Sequence, residues 1–188
     1  MEETTTYTAF VGHQRLVSAD LRTMLRRTKE HLGASRDPAV LLVFEDKTGR
    51  QVDFDMSGSE AEILARVAPP PAGPGRPKLG VVSREVSLLP RQWEWLEQQP
   101  QGLSGTLRRL IDEARKRAPG AEEARLARDA ASKVMWSIAG DLPDFEEASR
   151  ALFAGDRPRF EALIKGWPAD VREYVQGLAA PSFVPSSS

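Results

Sequence analysis

Cysteine is absent from the 188-residue chain, and histidine occurs only twice. Without thiols there is no disulfide, no thiolate nucleophile and no sulfur ligand for a metal. The two histidines, His13 and His31, show no metal-ligand spacing and read as turn or surface residues. No G-x-S-x-G, P-loop or H-E-x-x-H motif occurs. Carboxylates do occur in pairs, as Glu122-Glu123 and Glu146-Glu147. Adjacent positions on a helix diverge by about 100°, so neither pair converges on a substrate. The chain is therefore expected not to be an enzyme and to need no cofactor. No apolar run approaches the roughly 18 residues that span a bilayer, and the start MEETTTYTAF lacks the basic-then-apolar order of a secretory signal. A cytoplasmic protein without a membrane partner is the expectation.

What is present is enough apolar material, 40% of residues, to bury a core. The net charge of −1 hides an asymmetry. Residues 76–117 hold nine Lys/Arg against five acids, while the rest of the chain holds 17 against 22. A positive middle in a mildly acidic chain points to a face for an anion, or to a solvated mixed-charge helix surface.

The periodicity predicts an α+β protein in several parts. Residues 6–67 read as a small α+β domain of ββαββα order. Tyr7–Val11 is β-like, Gly12-His13 turns the chain, and Arg15-Leu16-Val17 follows. Ser18 is expected to cap a helix carrying Leu21, Met24, Leu25, Thr28 and Leu32 on one side. Val40–Phe44 reads as an inner strand, Val52, Phe54 and Met56 as a half-buried one, and Ser59 with Glu62 as a capping box before a short helix. The acids Glu45, Asp46, Asp53 and Asp55 lack EF-hand spacing and read as a solvated hairpin end. The Pro/Gly-rich basic stretch 68–80 is an extended linker. Residues 121–179 read as a separate all-helical domain with Trp136, Phe145, Phe153, Phe160 and Trp167 in its core. Residues 180–188 read as a disordered tail.

The segment 81–118 carries the functional signal. Val82, Arg84, Val86 and Leu88 face one way in an extended chain, and Ser83, Glu85 and Ser87 the other. Pro90 suits the first turn of a helix bearing Trp93, Trp95 and Leu96. Pro100 and Gly102 break it. Ser104 is expected to cap a second helix with a buried stripe of Leu107, Leu110, Ile111 and Ala114, leaving Arg108 and Arg109 outside. So small a unit cannot bury both tryptophans and these aliphatics alone, and a second copy would supply the missing core.

The run REVSLLPRQWEWL followed by GLSGTLRRLIDEAR resembles the ribbon-helix-helix family of bacterial DNA-binding proteins. That resemblance implies a ribbon-helix-helix-like centre, an intertwined homodimer and paired strands in the major groove of double-stranded DNA. It implies that Ser83, Glu85 and Ser87 face the groove and that Ser104 and Gly105 hold a phosphate. Glu85 departs from the family pattern, which expects Arg, Lys or Gln there; a carboxylate can accept from a cytosine amine but repels phosphate. Leu89, before the proline, falls one residue out of step with buried Val86 and Leu88, which a bulge would absorb. The arm Pro74-Gly75-Arg76-Pro77-Lys78 is similar to the GRP core of an AT-hook; alternatively it is a basic linker. Arg76, Lys78, Arg84, Arg108 and Arg109 complete the expected DNA-contacting set. The whole chain also resembles a bacterial family of uncharacterised proteins, on the blocks GRPKLGVVSREVSLLPRQWEWL, AGDLPDFEEASRALFAGD and TGRQVDFD. That likeness implies a shared architecture and no particular activity. Two functions are expected: a sequence-specific DNA-binding homodimer acting as a transcriptional or antitoxin-like regulator, or a non-catalytic protein-interaction adaptor. In the first, the C-terminal helices would offer a protein-partner site.

Overall fold

The computed structural model describes residues 5–34, 40–67, 84–117 and 119–183. Among them the chain divides into two compact units, one made of 5–67 with 120–183 and one of 84–119 inserted between those stretches.

The larger unit is organised on an antiparallel sheet. Strands β1 (Thr6–Val11) and β2 (Gln14–Asp20) form a hairpin at Gly12, whose φ of +56° suits glycine. β3 (Leu41–Glu45) pairs with the other edge of β1 and with the short β4 (Arg50–Gln51), giving the order β2-β1-β3-β4. Helix α1 (Leu21–Ala34) lies between the hairpins in sequence, and α2 (Glu60–Val67) follows β4. Strand alternation sends Ala9 and Val43 into one core with Met24, Leu25 and Ile63 from these helices. It sends Phe10 and Phe44 into another.

That second core is filled by α5 (Pro119–Ile138), α6 (Phe145–Ala154), α7 (Arg157–Leu163) and α8 (Ala169–Ala179), through Val134, Met135, Leu152, Phe160, Val171 and Val175 among others. The stretches 6–67 and 121–179, which composition separates, thus share one core. The reason is that the sheet has two apolar faces, and α1 with α2 covers only one. A polar tie reinforces the join. Tyr174 Oη donates to Asp46 Oδ1 at 2.8 Å, Thr8 Oγ1 donates to the same oxygen at 2.7 Å, and Thr8 and Ser18 share a 2.8 Å hydrogen bond. Burial first, and the Asp46 charge second, push the Tyr174 phenol well above its ordinary pKa. Gly49, at φ +63°, packs so closely on α5 that a Cβ there would lie 2.1 Å from the Ala130 carbonyl oxygen.

Several expectations are corrected. Ser18 does not cap α1: it stays in β2, paired with Thr8, and Asp20 accepts from the Thr23 N–H at 3.1 Å instead. The second hairpin strand is only Arg50–Gln51. Beyond the Val52 N–H to Val43 bond of 2.8 Å the chain leaves the ladder, although Val52, Phe54 and Met56 keep their half-buried alternation. His13 lies in the expected turn, and its Nε2 is 3.1 Å from the Ile138 carbonyl at the end of α5. Of the four hairpin acids Asp53 and Asp55 are exposed as expected, beside Gln51 and Arg66, while Glu45 and Asp46 are half-buried, Glu45 paired with Arg50 and Asp46 accepting from Tyr174. Trp136 and Phe153 are not core but 66% and 53% exposed, while Trp167 is buried and donates to the Pro143 carbonyl at 2.8 Å. Leu126 on α5 is also exposed. Residues 180–183 are no loose tail. They form a 3₁₀ turn in which the Ser182 hydroxyl donates to Ala179 at 2.6 Å and Phe183 packs on Phe160 at 5.5 Å between ring centres. No helix among the described residues is long and apolar enough to cross a membrane.

Candidate functional site

The inserted unit begins with Arg84–Leu89, which carries no regular secondary structure and pairs with no strand among the described residues. Leu89 is extended (φ −66°, ψ 149°), the conformation a following proline imposes, and Pro90 opens α3 (Pro90–Glu97). The Leu89 N–H donates to Gln92 Oε1 at 2.9 Å, so a glutamine three residues on closes the helix start. After α3, Gly102 N–H donates to Gln99 at 3.0 Å, and Gly102 at φ +67° turns the chain into α4 (Gly102–Arg117).

Among the described residues of this unit only Leu96 and Thr106 are buried. Trp93, Leu103 and Leu107 are half-buried, while Trp95 is 48% exposed. The expected α4 stripe is uncovered in its second half: Leu110, Ile111 and Ala114 are all exposed. Helix length explains this. With eight residues α3 spans about 12 Å, and with sixteen α4 spans about 24 Å, so α3 shields only the first turns of its neighbour. Val86, expected to point inward, is 55% exposed, with no strand beside it among the described residues; Leu88 is half-buried. Between the helices lies a groove of about 440 Å³ lined by Leu88, Arg91, Gln92, Trp95, Leu96, Leu107 and Leu110.

Of the expected DNA-contacting residues, Arg76, Lys78 and Ser83 lie outside the described residues, as does the linker 68–80. Arg84, Glu85 and Ser87 are exposed on the unpaired segment, and Arg108 and Arg109 are exposed on α4. Ser104 is not the cap of α4. The helix starts two residues earlier, so Ser104 and Gly105 sit inside its first turn. Arg109 pairs with Glu113 at 2.7 Å, whereas Arg84, Arg91, Arg108, Arg115 and Lys116 form no ion pair among the described residues. The groove itself, with Arg91 and Gln92 on its wall, is the feature sequence reasoning missed. Its signal was there in the spacing of Arg91, Gln92 and Trp95, which share one side of α3 at i, i+1, i+4.

A family model for uncharacterised proteins conserved in bacteria (DUF2239) matches residues 6–179, which takes in both units. The chain belongs to that family. Membership covers the sheet, the inserted helix pair and α5 to α8 together, so the two-unit layout falls within one family span. No curated protein and no solved structure matches the chain.

Proposed function

We propose that this protein is a DNA-binding homodimer, a bacterial transcriptional or antitoxin-like regulator, and that the inserted unit is its DNA-facing part. The observation that carries the reading is the Arg84–Leu89 segment, exposed apart from Leu88 and unpaired among the described residues, running directly into a helix pair whose apolar groove none of the described residues fills. A segment with open backbone donors and acceptors is suited to pair with a second copy, giving a ribbon-helix-helix-like arrangement. Arg84, Arg91, Arg108, Arg115 and Lys116, free of ion pairs among the described residues, supply cations for phosphate. Glu85 and Ser87 would meet base edges, Ser104 and Gly105 in the first turn of α4 a phosphate, and Arg76, Lys78 and Ser83 would extend the contact.

Electrophoretic mobility shift with a random-sequence duplex, repeated across a salt series, tests this. Binding should weaken by roughly 0.9 log unit per log unit of salt for each phosphate neutralised, and Arg84→Ala should lower that slope by about one phosphate. No retention of duplex at low salt would sink the proposal.

A second reading, a protein-interaction adaptor, draws support from the groove, whose lining is mainly apolar and includes the exposed Trp95, and from the acid Glu85 on the segment that would face DNA. It predicts that Trp95→Ala abolishes partner binding while duplex affinity stays negligible throughout. Exposed Trp136 and Phe153 on the helical side would be a further contact surface in either case.

A further inference from the structure

The groove between α3 and α4, about 440 Å³ in volume, has an apolar body and a polar end. Trp95, Leu96, Leu107 and Leu110 form the body; Arg91 and Gln92, one turn nearer the start of α3, form the end. Gln92 Oε1 accepts from the Leu89 N–H at 2.9 Å, which leaves the amide nitrogen as the free half of that side chain. The Arg91 guanidinium and the Trp95 indole can only donate. None of these three donors has a hydrogen-bond partner among the described residues. The side chains lining the groove therefore offer donors and no acceptor. No acid is among them. At about 100° per residue, Glu94 and Glu97 fall outside the arc of α3 that carries Arg91, Trp95, Gln92 and Leu96, and Asp112 falls opposite Leu107 and Leu110 on α4. Glu113 is held by Arg109 at 2.7 Å.

We infer that this groove is a binding site for a small organic acid, a carboxylate carried on an apolar chain or ring. The carboxylate takes the Arg91 fork and the Gln92 amide, donors matched to a group that only accepts. The apolar body displaces water from Trp95, Leu96, Leu107 and Leu110. Other occupants match the lining less well. A phosphate backbone supplies the anion but no apolar body. A peptide brings N–H donors that this lining cannot accept, and a second copy laid groove to groove sets donors against donors. The site lies within the helix pair and makes no use of DNA.

Isothermal titration calorimetry on the full chain, with decanoate and naphthoate as probes, tests this. At least one acid should bind saturably, one per chain, and the matching alcohol, with the same body and no charge, should bind roughly tenfold more weakly. Arg91→Ala should weaken the acid by roughly tenfold or more and leave the alcohol unchanged. Arg91→Glu should transfer the preference to the matching amine. Arg91 is exposed, so neither substitution disturbs packing, and circular dichroism checks that helix content is kept. Absence of saturable binding by both acids, an alcohol that matches its acid, or Arg91→Ala binding the acid as the wild type does would each overturn the assignment. So would tighter binding of an acetylated Ala-Ala-Leu-Leu peptide, which would make the groove a seat for a protein partner. These titrations contain no duplex, so their failure leaves the DNA reading intact, and a failed mobility shift leaves the acid site intact.

Discussion

Gly49 stands where two constraints meet. Its φ of +63° disfavours any residue with a Cβ, and that Cβ would sit 2.1 Å from the Ala130 carbonyl oxygen. Gly49→Ala should cost roughly 2–5 kcal/mol, the sum of left-handed strain and overpacking, read from the urea midpoint of unfolding. A midpoint unchanged from wild type would show that the β3–β4 turn does not lie against α5. Tyr174 makes the other residue-scale prediction. Tyr174→Phe removes a donor to the Asp46 carboxylate and should cost about 1.5–3 kcal/mol. The phenol's pKa is raised on folding, so its contribution is complete below the pKa of the unfolded chain and lost as pH rises above it. Above about pH 10 the wild type should lose up to about 1.4 kcal/mol per pH unit from this group, and Tyr174→Phe should flatten that part of the profile. Equal alkaline slopes in both proteins would count against the buried tie.

At the scale of elements, local signals and tertiary context divide the work. The capping box of α2 closes as its S-x-x-E spacing predicts: Ser59 N–H donates to Glu62 Oε2 at 2.6 Å and Glu62 N–H to Ser59 Oγ at 3.3 Å. Ser59→Ala should therefore cost about 1 kcal/mol, seen as a lower Tm. Hydrogen bonds from Ser59 hold the Glu62 carboxyl below its ordinary pKa, with Arg66 adding to the effect, and hydrogen bonds from Ser57, then Arg66, do the same for Asp55. A depressed folded-state pKa stabilises above the unfolded value and ceases to as pH falls through the folded one. Part of the acid loss of stability should therefore vanish in Glu62→Gln, measured as Tm against pH from about 5 downward. Failure to flatten that limb would separate Glu62 from the stability of α2. The α1 start shows the limit of such signals. Ser18 and Asp20 are both good caps by type, and the ladder with Thr8 decides that Asp20 serves. In α4, apolar spacing placed Leu110 and Ile111 on one side correctly. It could not report that α3 is too short to cover Ile111 and leaves Leu110 on the rim of the groove.

For the whole molecule, the decisive fact is that the sheet is covered by helices from both ends of the chain. A fragment of residues 1–67 would expose Phe10 and Phe44, each of which contributes about 1.5–3 kcal/mol by burial. It should not fold cooperatively, as read by a loss of near-UV dichroism and a sloping thermal profile. Replacing the inserted stretch 69–119 by a flexible Gly/Ser linker should instead leave the larger unit folded, with a sharp melt. Cooperative folding of 1–67 alone would restore the reading of two independent domains.

The chemistry of single residues and short spacings was readable from the sequence: the turn at Gly12, the box at Ser59, and the positive bias of the middle. These depend on neighbours a few residues apart, and the chain states them directly. Which apolar residues stay wet was settled only in three dimensions. Trp136 and Phe153 read as core because they are large and regularly spaced, yet the seats beneath the sheet go to Val134, Met135, Leu152 and Phe160. The same holds for Leu110 and Ile111. Periodicity says that a face is apolar, and only the reach of the neighbouring element says whether anything covers it.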